Sequence, residues 1–188
     1  IAGDGEAGHR MAARRGYVPM FTGRWKGADY IGEMRARLEK AWLAEGKDPA
    51  VLPNGYQRFL CVTESRAEAL DYVDHCRHQI RLASALRRRA EVMDNGMMNE
   101  IPSPDEPPLE EMLENLLVGD CETIAERLTA EIRAGEPSHV MFHFQVGGSG
   151  QAQALNSMEK FASTIRPMLE KDLGPLKDIG APLPRSAG

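Results

Sequence analysis

The segment Ser138 to Gly150, SHVMFHFQVGGSG, constrains this chain more than any other. Val140, Phe142, Phe144 and Val146 alternate strictly with His139, Met141, His143 and Gln145, which is the period of a strand with two different faces. It is entered from one helix-like segment and left through a glycine-rich turn into another, so it reads as the strand of a β/α unit. In a closed barrel of such units the outward row packs under helices and the inward row fills the barrel. Polar side chains near the strand's C-terminal end then line the mouth, where barrel enzymes hold their chemistry. His143 and Gln145 are therefore the first catalytic candidates; the plainer alternative is that they satisfy each other in the core.

The rest of the chain repeats the same unit. Asp4-Gly5-Glu6-Ala7 can cap a helix through Met11 to Ala13, with Gly16 as its stop. Tyr17 to Thr22 is a short buried strand in which Pro19 marks a bulge or the strand start. Ile31, Met34, Leu38 and Ala41 recur at helical spacing up to Gly46. Tyr56 to Thr63 is the next strand. It hands over at Ser65-Arg66-Ala67-Glu68, a capping box, to a helix with the stripe Ala69, Val73, Cys76, Ile80 and Ala83 that runs to about Met93. Residues 93–118 read as an insertion whose short helix gathers Leu109, Met112, Leu113, Leu116 and Leu117 on one side, a face that a lid or a subunit contact would cover. Asp120 caps the next helix, with Ile124, Leu128 and Ile132 buried and Gly135 as the stop. A last helix carries Leu155, Met158, Ala162, Ile165 and Leu169 and bends at Pro167. Residues 173–188, rich in proline and glycine, are expected to be an extended or disordered tail.

About four strands and four principal helices in alternation predict an α/β fold with a parallel sheet. Four strands are half a (β/α)8 TIM-type barrel, and a full barrel takes about 250 residues where this chain has 188. Ile1-Ala2-Gly3 reads as the end of a strand, so a piece of a longer chain is expected, with residues 1–172 as the barrel part.

Composition removes several classes of function. A net charge of −5, with Arg87-Arg88-Arg89 set beside acidic residues in a helix, argues against nucleic acid as a partner. No apolar run approaches bilayer length. Cys61, Cys76 and Cys121 share no CxxC spacing, which suits a reducing, cytoplasmic setting. His75-Cys76-x-His78 has ligand-type residues but no second cluster to complete a metal site. Gly147 to Gly150 lacks the P-loop ending, and there is no GxSxG elbow.

Ordered along the chain, several segments resemble the bacterial luciferase-like flavin-dependent monooxygenases. They are Ala2-Gly3-Asp4-Gly5-Glu6-Ala7-Gly8 with Ala12-Ala13, Gly16 and Pro19-Met20; Val62-Thr63-Glu64-Ser65 with Glu68-Ala69; Val118-Gly119-Asp120-Cys121-Glu122-Thr123-Ile124; and Met158-Glu159-Lys160-Phe161-Ala162 with Ile165, Pro167 and Leu169. The resemblance implies the C-terminal half of an eight-stranded barrel, from the end of strand five through strand eight. It implies reduced flavin mononucleotide (FMN) from a separate flavin reductase, or a deazaflavin, acting on a small organic substrate. The flavin phosphate would lie at the turn after strand five, Gly3, Asp4, Gly5 and Gly8, where helix N-terminal amides suit an anion. Asp4 departs from the family's pattern there, and its carboxylate must turn away or weaken the site. On strand eight the resemblance places Phe144 and Gln145 at the cavity end, Gln145 standing where luciferase has a carboxylate. On strand seven Gln57 and Phe59 stand where the sulfonate-desulfonating branch has Arg and His, which counts against an alkanesulfonate. His143 could orient substrate or a peroxide intermediate. The expected partners are the N-terminal half of the barrel and a second copy in a homodimer, and the portion alone is not expected to be active. The alternative is a non-catalytic half-barrel module that covers its sheet edges with another half or with itself.

Overall fold

The computed structural model describes residues 5–181. The expected strand end at Ile1 to Gly3, Asp4 of the phosphate turn, and residues 182–188 lie outside the described residues. In chain order the elements are α1 (Glu6–Arg15), β1 (Met20–Thr22), α2 (Ala28–Ala44), β2 (Gly55–Val62), α3 (Arg66–Arg88), a hairpin of β3 (Met93–Asp94) and β4 (Met97–Met98), α4 (Leu109–Asn115), β5 (Leu117–Gly119), α5 (Cys121–Gly135), β6 (His139–His143), α6 (Gln151–Lys160) and α7 (Arg166–Leu173).

The expected parallel sheet is present, with β2 at its centre. β1 and β6 pair with the first half of β2 and β5 with its last three residues, all in parallel. Both faces of β2 are covered, as in α/β folds generally. On one face Tyr56 packs on Ile31 and Leu38 of α2, while Leu60 and Val62 pack on Ile124 and Leu128 of α5 and on Ile165 and Leu169 near the chain's end. On the other face Phe59 and Cys61 pack against Tyr72, Val73 and Cys76 of α3 and Met112 of α4. The apolar side of α4 is thus covered from within this chain.

Several helix boundaries follow the capping chemistry of the sequence. Gly16 adopts φ 71° and closes α1, and Asp120 accepts the Thr123 amide at 2.7 Å to open α5. At α3 the Ser65 hydroxyl accepts the Glu68 amide at 3.3 Å, but the Glu68 carboxylate does not return to the Ser65 amide. It accepts instead from the Thr63 hydroxyl, whose oxygen takes the Ser65 N–H. Thr63 therefore relays the second half of the capping box.

Other expectations need correction. Leu116 and Leu117 do not share a helix face: α4 ends at Asn115, and the two residues point into opposite cores at the start of β5. Arg127 donates to the carbonyls of Leu113, Leu116 and Val118, compensating them as the chain straightens. α3 ends at Arg88, and in its last turns Ser84 is buried in place of Ala83 because its hydroxyl meets that of Ser103 at 2.7 Å. At the end of α5 the left-handed residue is Glu136, φ 42°. Gly135 has another role: a Cβ there would lie 2.6 Å from Ile31 Cγ2, so its smallness lets α2 and α5 approach.

The last helix also buries a different stripe. Leu155 and Met158 are exposed, and the buried side runs Ala154, Ser157, Ile165 and Leu169. A π turn at Phe161–Ile165 adds a residue to the helical repeat just before Pro167, whose missing N–H and ring disturb the regular ladder. The described part of the tail, finally, is packed: Leu173, Leu176 and Ile179 lie on the α5–α7 core, and the Ser138 hydroxyl donates to the Ala181 carbonyl at 2.6 Å.

Candidate functional site

The register Phe59↔His143 and Gln57↔Met141 sets Gln57, Phe59 and His143 on one face of the sheet. The Phe59 and His143 rings meet edge to face with centroids 5.9 Å apart. Tyr72, reaching across from α3, donates its hydroxyl to the His143 carbonyl at 2.7 Å. His143 Nε2 is buried and has no hydrogen-bond partner among the described residues. Burial lowers the pKa of the ring, because a low-dielectric surrounding disfavours the imidazolium. The arrangement offers a neutral imidazole with one nitrogen free, beside an aromatic wall.

Gln145 lies just past the strand end and is engaged in its own turn. Its amide donates to the Ser149 carbonyl at 3.2 Å, and the buried Ser149 hydroxyl accepts the Val146 amide at 2.9 Å. The turn leans on α3, where His75 Nδ1 accepts the Gly148 amide at 3.3 Å. Because the strand ends at His143, Val146 leaves the outward row and joins Phe59 and Tyr72 in the opposite core. Phe144 does not line the cavity face. It packs on Phe142 and Phe161 under the terminal helices, as its place in the alternation requires.

Gly5 and Gly8 stand at the opening of α1. Gly5 is the N-cap residue and has no side chain of its own to cap the turn. A Cβ at either glycine would meet nothing within 4 Å. Among the described residues nothing crowds the first amides of α1, and such amides suit an anion, although Glu6 in the same turn brings a negative charge. Gly5 and Gly8 leave room for a phosphate at these amides, and the unpartnered nitrogen of His143 would suit a polar group of a flavin or a substrate. His75 and His78 do not converge: His78 Nδ1 meets Glu100 at 2.9 Å while His75 holds the Gly148 turn.

Two features were not singled out from sequence. A cleft of about 590 Å³ opens where β2 and β5 end, lined by residues that include Thr63, Ser65, Asp120 and Arg127. The two N-cap residues that mark it are visible in the sequence, but their convergence depends on the β2–β5 pairing. Beneath the sheet, Arg58 and Glu131 form a fully buried ion pair at 2.7 Å. Arg58 also donates to the carbonyls of Lys26 and Asn115, and so fixes the turn after β1 and the end of α4. Burial raises the Glu131 pKa to about 7, against the pull of the guanidinium.

Among the described residues no group of three or more His, Cys, Asp or Glu side chains could hold a metal ion, and no helix is long and apolar enough to cross a membrane.

Residues 1–136 match the family model described as luciferase-like monooxygenase. The y4vJ protein of Sinorhizobium fredii (strain NBRC 101917 / NGR234), itself uncharacterized, is 29% identical over 164 residues, 87% of this chain and 47% of that one. Among solved structures, the monooxygenase RslO1 from Streptomyces bottropensis superposes with a TM-score of 0.61 at 16% identity, covering 89% of this chain and 46% of that one. The oxygenating constituent of 3,6-diketocamphane monooxygenase from Pseudomonas putida, a type II Baeyer-Villiger enzyme solved with FMN, gives 0.55 at 20% identity, covering 86% and 45%. This chain spans about half the length of the relatives it matches.

Proposed function

Because the chain belongs to the luciferase-like monooxygenase family, we propose that it supplies the last four β/α units of a flavin-dependent oxygenase acting on a small organic substrate. The observation that carries this reading is the free, buried Nε2 of His143 beside Phe59 on one face of the sheet. FMN, reduced by a separate flavin reductase, is the proposed cofactor; a deazaflavin is the alternative. The partners are an N-terminal half-barrel and, in a homodimer, a second copy.

Reduced flavin, when bound, supplies the electrons for oxygen activation or hydride transfer. The amides opening α1 beside Gly5 and Gly8 hold its phosphate. His143, held toward its neutral form by the partial burial of its ring, orients the substrate through Nε2. Phe59 and Tyr72 keep water from that nitrogen, and Gln57 extends the same face. The Gln145 amide, tied to Ser149, closes the rim.

Titration of FMN with the chain, followed by quenching of flavin fluorescence, tests the cofactor claim. Saturable quenching is expected, and Gly5→Asp should abolish it by placing a competing carboxylate on the amides that the phosphate needs. Undiminished binding by the variant would move the phosphate elsewhere, and no binding by the unaltered chain would remove it from this turn. One observation favours the non-catalytic module: α3 and α4 bury Phe59 to 5% exposure, so the site face is already covered. That module would leave reduced flavin unbound while sedimenting as a dimer or with a partner half.

A further inference from the structure

On the side of the sheet away from His143, a cleft of about 310 Å³ opens between α5, β6, α7 and the packed end of the chain. Leu128, Val140, Phe142 and Leu169 line it, Phe161 walls it, and Ile179 lies over it. Protein interiors close up to crystal-like density, and few voids exceed a water molecule. An apolar cleft of this size is at the lower limit of small-molecule sites. It is too small for a helix of another chain.

Two independent features give it a chemistry. The first is the π turn at Phe161–Ile165, whose opening residue walls the cleft. Such turns are rare and are frequently found at functional sites. The second is the rim. Arg166 is the one Lys, Arg, Asp or Glu among the residues that line the cleft. Arg166 is held only loosely, with its guanidinium 3.4 Å from Glu170 and most of the side chain exposed. Its charge is free to swing to a ligand.

We propose that this cleft binds a small apolar organic anion, an aliphatic or aromatic body in the Phe142–Phe161 cavity and an acidic head on Arg166. The site is separate from the proposed flavin face, because Val140 and Phe142 point away from Met141 and His143 along β6. It stands or falls independently of the flavin reading.

The test uses 8-anilinonaphthalene-1-sulfonate, an apolar aromatic anion that fluoresces when dehydrated, with decanoate as competitor and decanol as its uncharged counterpart. A single saturable site displaced by decanoate is expected. Arg166→Gln should weaken decanoate about tenfold, the loss of one charge-assisted contact, and leave decanol unchanged. Ile179→Trp should fill the cleft and abolish probe binding, while circular dichroism and the melting temperature show that both variants keep the fold. Unsaturable probe binding, no binding, or binding indifferent to both substitutions in folded protein would overturn the proposal.

Discussion

Arg58 Nη2 and Glu131 Oε1 meet at 2.7 Å with neither side chain reaching solvent. The pair joins the central strand to α5, and Glu131 Oε2 and Arg58 Nε have no hydrogen-bond partner among the described residues. Taking two charges out of water costs several kcal/mol per ion, and only close geometry and further hydrogen bonds offset it. Arg58 obtains those bonds from Arg24, Lys26 and Asn115 carbonyls, whereas Glu131 has no second donor. The carboxyl is thus the weaker half of the pair, and burial raises its pKa.

A pH dependence follows. Glu131 keeps its proton to about pH 7 in the folded chain, while an unfolded Glu loses it near 4.3. The folded state then binds more protons between these values, so this group's contribution to stability falls as pH rises through that window. The loss should be complete above about pH 7. Glu131→Gln removes it: the variant should match the parent near pH 5 and exceed it near pH 8 in denaturant melts. Equal differences at both values would refute the assignment.

Arg58→Met should be far more damaging than Glu131→Gln. It strands the carbonyls of Lys26 and Asn115 and leaves the buried Glu131 side chain without its partner, a loss of about 3–5 kcal/mol. Urea denaturation would measure it, and amide exchange should rise first in the turn after β1 and at the end of α4.

Gly135→Ala should cost about 1–3 kcal/mol through overpacking against Ile31. Because the close atom is Ile31 Cγ2, combining it with Ile31→Leu, which lacks that methyl, should recover part of the loss. Additive losses in a double-mutant cycle would show that the two side chains do not collide.

His143 should titrate below the exposed histidines in an NMR pH series, since burial lowers its pKa. For a histidine buried in the neutral form, stability declines as pH falls below the free-residue value of about 6.5. Phe59→Ala admits water to the ring and should move the titration upward. Tyr72→Phe removes the hydrogen bond to the His143 carbonyl and should cost about 1 kcal/mol. An unchanged His143 titration in Phe59→Ala would mean that the aromatic wall does not shield it.

Much of this molecule could be read locally. The alternation from Val140 to Phe144, the stop at Gly16, the cap at Asp120 and the stripe from Ile31 to Ala41 each follow from one residue's chemistry or one element's period, and each stands in the structure as expected. The same local rules set Gln57 and Phe59 on one face of β2 and Met141 and His143 on one face of β6, and the strand register brings the two together.

What local period could not decide is where an element gives out and what meets it. Leu116 leaves the helix and Leu117 opens a strand because Arg127 and two cores await them, and the terminal helix shifts its buried stripe because a π turn intervenes. Gly135 matters through Ile31, and Arg58 through Glu131, partners more than seventy residues away in sequence. The sequence by itself determined the alternation of elements, their caps and the face each strand residue takes, because those depend on neighbours a few residues apart. Only the tertiary structure decided the buried ion pair, the covering of the site face by α3 and α4, and the cleft behind β6, because burial and long-range pairing exist only once the chain has closed on itself.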